Sequence, residues 1–320
     1  MKLFGLESTR EFAERLAGRL ELALSSHEER EFGDEEFKIR ALESVRGERV
    51  ALVQTLNSDS RYSASDKLCR LAFFVGSLKD AGAAEVVAVS PYLAFARKDR
   101  RTKQRDPITT RYVAAMLEAV GLDMVITADV HNLAAYENAF RCKKENLEAA
   151  RLFVNHFESI VVSEERVVVL SPDAGGVKRA RAFAELFEAS HGRPAELAFM
   201  EKKRSEGKVT GEAFAGHVDG ATVIVIDDLI SGGTTMARAA RACSRRGASR
   251  VCCAATHAVF SRDTATTLGI PEIESVVVTD TVALTPLQSE AFGSKLVVLD
   301  STALFAEALQ RIFLQRGAAS

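Results

Sequence analysis

Short apolar runs, rich in β-branched residues, recur along the 320-residue chain and alternate with segments of helical periodicity. The runs are apolar nearly throughout, not at every second position, which is typical of buried strands in parallel sheets. They predict strands at residues 50–54, 85–90, 124–127, 166–170, 222–226, 250–255, 275–279 and 295–299.

Helices are predicted between these strands from apolar spacing and from residues that favour helix ends. One is expected at residues 107–120, because Asp106 is a favoured N-cap and Pro107 suits the first helical position. The others are at 65–81, 175–190, 234–246 and 302–314. The alternation predicts an α/β fold of mostly parallel sheets flanked by helices.

The length suits about two domains of ordinary size. Both halves share a rhythm of apolar strand, polar turn and helix, and no Pro- or Ser-rich linker divides them. We therefore expect an N-terminal domain at residues 1–150, joined by a C-terminal helix at 302–320, and a C-terminal domain at residues 151–301.

Composition narrows the class of protein. The 42 basic and 44 acidic residues nearly cancel, which argues against a surface built to bind nucleic acid or a membrane. Five cysteines without a CxxC pair fit a reducing compartment. No apolar stretch reaches the roughly 18 residues of a spanning helix, and Glu7 precedes any signal-peptide core. We expect a cytoplasmic protein.

Polar or glycine-rich turns come immediately after four of the predicted strands. The carboxyl ends of strands are the places where ligands bind in parallel α/β sheets. The most informative turn begins with Asp227 and Asp228, which can hold paired sugar hydroxyls or a metal. Small residues follow that can wrap a phosphate with N–H and O–H donors, namely Ser231, Gly232, Gly233, Thr234 and Thr235. An ordinary capped turn explains the Gly-Gly-Thr alone, but the preceding carboxylates favour a binding site.

Two further strand ends carry candidate metal ligands. Asp173 lies in SPDAGG, and His131 follows another such strand, earlier in the chain, in TADVHN. Taken alone, Asp173 could equally be explained as a helix N-cap, and His131 as a residue with a structural role. Together they are candidate ligands for a hard cation that carries nucleotide phosphates, such as Mg²⁺.

Two basic segments suggest polyphosphate chemistry. Residues 97–111 hold seven basic and two acidic side chains without interleaved aromatics, which favours a polyphosphate pocket over a nucleic-acid face. Lys202 and Arg204 precede SEGKVTGE, a segment that predicts a mobile loop. Its cations could close over a transferring phosphoryl group, or the loop could simply be an exposed charged one.

The motifs in this order resemble ribose-phosphate pyrophosphokinases (PRPP synthetases), whose loop for phosphoribosyl pyrophosphate (PRPP) is similar to residues 227–235. The resemblance runs from about residue 32 to 300 through PYLAFARKDRR, TADVH, SPDAGG, EKKR, VIVIDDLISGGTT and ATHAVFS. It implies two tandem type I phosphoribosyltransferase-like domains and pyrophosphoryl transfer from ATP to the 1-hydroxyl of ribose 5-phosphate. It also implies Mg²⁺ and dimer-based homo-oligomers, often hexamers.

The resemblance also implies roles for single residues. Lys202 and Arg204 would stabilise the transition state, and His131 and Asp173 would hold the metal. Asp227 and Asp228 would bind the ribose hydroxyls, with the 5-phosphate on residues 231–235. The ATP site would take Phe32, Asp34 and Glu36 from a neighbouring subunit, together with Arg97, Lys98, Asp99 and His131.

Some residues depart from the family pattern. Lys98 stands where relatives commonly have Gln, and Ser231 where they often have an acid. Gly232 and Thr234 stand in exchanged order, and residues 104–106 alter a region that regulated relatives use for phosphate and ADP. A non-catalytic regulatory homologue, a PRPP-consuming phosphoribosyltransferase and a synthetase with another sugar acceptor remain alternatives.

Overall fold

A computed structural model of the chain describes residues 1–161, 165–205 and 208–314, and the side chains at 202–212 and 314 lie outside that description. The chain divides into two compact units. The N-terminal unit is Met1–Glu148 with the described residues from Ser301 onward, and the C-terminal unit is Ala149–Asp300.

The regular elements alternate along both units. The strands are β1 (Lys2–Gly5), β2 (His27–Glu31), β3 (Phe37–Ala41), β4 (Arg49–Val53), β5 (Glu85–Val89), β6 (Met124–Ala128), β7 (Lys143–Leu147), β8 (Val167–Ser171), β9 (Ala195–Ser205), β10 (Lys208–Ala215), β11 (Thr222–Ile230), β12 (Arg250–Ala258), β13 (Ser275–Thr279) and β14 (Leu296–Leu299). The α-helices are α1 (Arg10–Arg19), α2 (Ala64–Asp80), α3 (Thr109–Ala119), α4 (Leu133–Ala139), α5 (Ala150–Ile160), α6 (Val177–His191), α7 (Thr234–Ser244), α8 (Thr264–Leu268), α9 (Pro286–Phe292) and α10 (Thr302–Leu314).

The N-terminal unit is built on a parallel sheet in the order β1-β4-β5-β6-β7. Alternate residues of β4 face two separate cores, as strand geometry requires. Val50 and Leu52 pack with α2 and α3, whereas Ala51 and Val53 pack with α1 and α10. Burial on both faces explains why this strand is apolar throughout.

An antiparallel hairpin, β2–β3, forms a second sheet of the N-terminal unit. Its sequences, HEERE and FKIRA, are largely charged and gave no strand signal. Cross-strand ion pairs use those charges, for example Arg40 Nε to Glu28 Oε2 at 2.6 Å. One face of β3 does pack on the core, with Ile39 buried and Phe37 and Ala41 against it, but the charged residues between them hid this short alternation.

The C-terminal unit has a larger sheet in the order β10-β9-β8-β11-β12-β13-β14. All its pairs are parallel except β9–β10. From β8 the chain passes to β9 on one side and later to β11 on the other, so the order of the strands reverses between β8 and β11. Ligands bind in α/β sheets at such a reversal.

The α/β class predicted from the sequence is confirmed, and each predicted strand corresponds to a strand of the parallel core. The predicted helix at 107–120 was wrong at its start. Helix α3 begins at Thr109 after Ile108, and the Asp106 carboxylate caps no helix. It accepts hydrogen bonds from the backbone N–H groups of Thr102 and Lys103 instead.

The helices within the described residues are too short or too polar to cross a lipid bilayer.

Candidate active site

The β11 strand runs beyond its neighbour at the strand reversal. Its pairing with β8 ends at Val225, opposite Leu170, while its pairing with β12 continues to Ile230, opposite Ala258. The last residues of β11 are therefore supported from one side and open toward the turn that follows β8. Asp227 and Asp228 lie in this extension, so they belong to the strand and not to a turn after it.

The two aspartates lie side by side with little access to water. Asp228 is 3% exposed, and its backbone N–H donates to Asp227 Oδ1 at 2.9 Å. Burial and the neighbouring carboxylate raise the pKa of Asp227 well above its usual value, and the Arg179 guanidinium acts to lower it. Paired carboxylate oxygens of this kind are suited to accept hydrogen bonds from adjacent hydroxyl groups.

The glycine loop, residues 231–235, connects β11 to α7. Gly233 has φ +76° and stands at the N-cap of α7. The first N–H groups of a helix have no partner within it and attract anions. Thr264 Oγ1 donates to the Ser231 carbonyl at 2.5 Å and lies 3.0 Å from Ser261 Oγ. The loop is thus held to the start of α8, with its hydroxyls and N–H groups in one short segment.

Asp173 lies in the turn between β8 and α6. Its Oδ1 accepts hydrogen bonds from the N–H groups of Gly175 and Gly176 at 2.9 and 3.1 Å. Ser171 Oγ donates to the Asp173 carbonyl at 2.6 Å. The carboxylate therefore fixes the turn itself, and the N-cap role that the sequence left open was wrong, because Gly176 is the N-cap of α6 and has no side-chain cap.

Lys202 and Arg204 lie in β9, opposite Glu212 and Val209 of β10. The predicted mobile loop was wrong for the described backbone, because the segment forms an antiparallel pair of strands on either side of residues 206–207. The side chains of Lys202 and Arg204 lie outside the described part of the structure, so their catalytic role stays a prediction.

The basic segment of the N-terminal unit is organised by an ion pair. Lys98 Nζ lies 2.5 Å from Asp106 Oδ2 and 3.0 Å from Thr102 Oγ1. Lys98, Thr102 and the N–H of Lys103 hold the pKa of the Asp106 carboxyl well below its usual value. The Lys98 ammonium thus connects the start of the segment to Thr102 and Asp106 further along it, while Arg97 is exposed.

Asp99 and the turn after β6 are brought together. Asn132 Nδ2 donates to Asp99 Oδ2 at 2.6 Å, and its Oδ1 accepts from the Ala135 N–H at 3.2 Å, capping α4. His131 is exposed in the same turn, and Asp129 has a left-handed φ of +36°. Such strain is common at functional sites. Two predicted ATP-site residues, Asp99 and His131, are therefore neighbours across two strand ends.

Phe32, Asp34 and Glu36 lie at the tip of the β2–β3 hairpin. The Phe32 ring is 42% exposed, with the Arg30 guanidinium 5.4 Å from its centroid. Asp34 Oδ1 accepts from the Glu36 N–H at 3.3 Å. An exposed aromatic ring beside two exposed carboxylates can stack on a base and accept hydrogen bonds from it.

The base of the hairpin is held by a buried ionic and aromatic network. The Arg70 side chain is 5% exposed, donates to Glu31 Oε1 at 2.6 Å and lies near the rings of Phe37 and Tyr62. The Tyr62 hydroxyl donates to the same Glu31 oxygen at 2.6 Å. Burial and this bond raise the pKa of the Tyr62 phenol. The network fixes the hairpin to α2.

The sequence-predicted residues thus fall into two groups, each within one unit. Among the described residues, no three His, Cys, Asp or Glu side chains form a cluster that could hold a metal ion. Sequence reasoning missed Arg179, Asn132 and Thr264 as site residues. Arg179 and Asn132 carry a usable signal, since each lies a few residues after a strand that ends beside the predicted site.

Two family models match the chain. Residues 1–121 match the N-terminal domain of ribose phosphate pyrophosphokinase, and residues 196–319 match the phosphoribosyl synthetase-associated domain. Ribose-phosphate pyrophosphokinase 1 of Streptococcus pyogenes serotype M3 is 34% identical over 319 residues, which cover 99% of this chain and 95% of the relative. The ribose-phosphate pyrophosphokinase of Pasteurella multocida is 36% identical over 314 residues, covering 98% and 96%.

A solved structure is similar over the same length. The phosphoribosylpyrophosphate synthetase from Mycobacterium smegmatis has a TM-score of 0.88 and 29% sequence identity, covering 98% of this chain and 99% of that one. The likeness therefore extends over nearly the whole of both units.

The glycine loop yields a stability prediction. A Cβ at Gly233 would lie 2.8 Å from Leu268 Cγ, and its φ of +76° strains any other residue. We expect Gly233→Ala to lower the free energy of unfolding of the C-terminal unit by about 2 kcal/mol, measured by urea denaturation. Gly232→Ala is the control, since its added Cβ meets nothing nearer than 3.7 Å. Equal losses in both variants would contradict the packing argument.

Proposed function

This chain belongs to the ribose-phosphate pyrophosphokinase family, and we propose that it transfers the β,γ-pyrophosphoryl group of ATP to the 1-hydroxyl of ribose 5-phosphate, giving PRPP and AMP. The match of nearly the whole chain to such synthetases carries this function. It confirms the resemblance, the fold class of two type I phosphoribosyltransferase-like domains and the enzyme class that the sequence predicted.

The predicted alternatives have less support. A phosphoribosyltransferase that consumes PRPP shares the glycine loop but does not need an N-terminal half like that of a synthetase, which residues 1–121 match. A non-catalytic homologue would lack residues of the site. His131, Asp227 and Asp228 are present at strand ends, and Lys202 and Arg204 are present in the sequence.

The proposed sugar site lies in the C-terminal unit. Asp227 and Asp228 would accept hydrogen bonds from the 2- and 3-hydroxyls of ribose 5-phosphate. The 5-phosphate would bind the glycine loop, through Ser231, Gly232, Gly233, Thr234 and Thr235. The support for this assignment is the direct succession of the carboxylate pair, the loop and the α7 N-terminus along the chain.

The proposed ATP site uses two surfaces of the N-terminal unit. Phe32, Asp34 and Glu36 at the exposed hairpin tip would contact the adenine end of ATP bound by a neighbouring subunit. Arg97 and Asp99 would line the phosphates beside His131. Lys98 would contribute by holding the segment in place through Asp106, which is where its ammonium group lies.

PRPP synthetases need a divalent metal ion, and we propose Mg²⁺. His131 and Asp173 are its proposed protein ligands. An exposed imidazole and a carboxylate whose one oxygen is fixed by two N–H groups fit a cation that arrives on nucleotide phosphates and keeps most of its waters. When bound, the metal ion would neutralise charge on the transferring group.

The chain's own residues would position the reactants. The oxygen of the 1-hydroxyl attacks the β-phosphorus and its proton passes to solvent, while the bond between the β-phosphorus and the α,β-bridging oxygen breaks and AMP leaves with that oxygen. Such transfers depend on in-line placement and on spread positive charge more than on a strong base, so we assign no general base. Lys202 and Arg204 would supply that positive charge.

We further propose that the protein is cytoplasmic and works as a dimer-based homo-oligomer, such as a hexamer, without nucleic acid or membrane partners. The near balance of 42 basic and 44 acidic residues supports the proposal that nucleic acid and membranes are not partners. The exposed hairpin tip supports the homo-oligomer, because the ATP that it is proposed to contact is bound by another subunit.

The reaction is tested with purified protein, ATP, ribose 5-phosphate and Mg²⁺ at several phosphate concentrations, following AMP and PRPP by chromatography. We expect equal amounts of AMP and PRPP, and loss of both when a chelator removes the metal. Other phosphorylated pentoses and nucleobases are the comparison substrates. No AMP at any phosphate concentration would refute the function, and a requirement for a nucleobase would indicate a phosphoribosyltransferase.

The β9 cations give a second prediction. We expect Lys202→Ala and Arg204→Ala each to lower kcat by about 10²-fold or more, as loss of an electrostatic transition-state contact does. Lys203→Ala is the control, because it removes the same charge from the same strand at a position with no assigned role. Near-native turnover in both variants would refute their catalytic role.

A further inference from the structure

Arg179 contacts the carboxylate pair of Asp227 and Asp228, and the proposed function gives this arginine no role. It lies in the first turn of α6, and its Nη1 is 3.3 Å from Asp227 Oδ1 and 3.5 Å from Asp228 Oδ1. One nitrogen therefore reaches both side chains. The Arg179 side chain is 25% exposed, so this cation is partly withdrawn from water.

A nearby cation favours the ionised form of the pair and opposes the effects of burial and of the like charge. Two carboxylates this close tend to share one proton, because each disfavours the charge of the other and burial disfavours both. A protonated carboxyl donates a hydrogen bond to its neighbour and loses acceptor capacity. Arg179 on α6 and Asp228 on β11 are the charged groups that act on Asp227, in opposite directions.

We propose that Arg179 is the positioning residue of the ribose subsite: its guanidinium bridges Asp227 and Asp228 and holds their side chains in place as acceptors for the 2- and 3-hydroxyls. The proposal rests on the proposed sugar site. It gives Arg179 a role in binding the sugar and none in the bond-breaking step. The guanidinium acts on the sugar through the two carboxylates.

Neighbouring cations of α6 provide the matched control. Arg181 is exposed two residues further along the same helix. Arg181→Gln thus removes the same charge from α6 away from the pair. Arg179→Lys keeps a positive charge but replaces the planar fork with a single ammonium.

The first test is steady-state kinetics. We expect Arg179→Gln to raise the KM for ribose 5-phosphate about tenfold, the scale of one lost charged hydrogen bond, with kcat and the KM for ATP within about twofold. Arg179→Lys should recover most of the affinity, and Arg181→Gln should match the unchanged protein. If Arg179→Gln folds poorly by circular dichroism, Arg179→Met takes its place.

The second test is a double-mutant cycle with Asp227→Asn. When only one carboxylate remains, Arg179 has no pair of carboxylates to bridge, so Arg179→Gln should then change the KM for ribose 5-phosphate less than twofold. An equal loss in both backgrounds would overturn the proposal, as would an Arg179→Gln variant indistinguishable from Arg181→Gln. Both tests need a protein with the original sequence that makes PRPP. If that protein is inactive, the result refutes the proposed function and not the role of Arg179.

Discussion

Two adjacent carboxylates at the buried end of a strand repel one another, and the C-terminal unit is organised around that constraint. Strand β11 continues past the end of its pairing with β8 while its pairing with β12 goes on, and Asp227 and Asp228 lie in that extension. Arg179, in the first turn of α6, lies against both of them. The strand reversal thus brings a compensating cation, distant in the sequence, to two acidic acceptors that shortly precede the glycine loop.

In the N-terminal unit, the exposed tip of the β2–β3 hairpin, which is the proposed contact for ATP, is carried on a base that is largely buried. The hairpin tip with Phe32 can be exposed because the hairpin base is not. Arg70 is enclosed by the rings of Phe37 and Tyr62 and bonded to Glu31. A buried arginine without such partners would be costly, so these contacts favour one position of the hairpin. Closure of the basic segment by Lys98 and Asp106 has the same effect on the loop after β5.

Much of the parallel core could be predicted from the sequence, because strands buried on both faces are apolar throughout and their polar successors mark the ligand-binding edge. The β2–β3 hairpin and β9–β10 could not, since β2–β3 is stabilised in part by cross-strand ion pairs and β9–β10 by backbone pairing, neither of which periodicity reveals. Asp106 was misread for a related reason. Its N-cap signal is real, but Lys98, eight residues earlier, competes for the carboxylate.

Several candidate residues, such as Asp173 and His131, were found because they lie just after a predicted strand, whereas those of the hairpin tip came only from the family resemblance. Arg179 and Asn132 escaped because their contacts cross from one strand end to another, to Asp227 and to Asp99. Such contacts depend on strand order, which the local sequence does not encode. The family resemblance implied the reaction, which the geometry alone does not identify. The structure added the contacts of Arg179 and Asn132, which the resemblance did not imply.

The central claim is that the end of β11 and the glycine loop together bind ribose 5-phosphate. A crystal structure of the protein with ribose 5-phosphate tests it most directly. We predict the 2- and 3-hydroxyls on the carboxylates of Asp227 and Asp228 and the 5-phosphate on the N–H groups of residues 231–235. Ribose 5-phosphate bound elsewhere, with the carboxylate pair and the loop unoccupied, would contradict it.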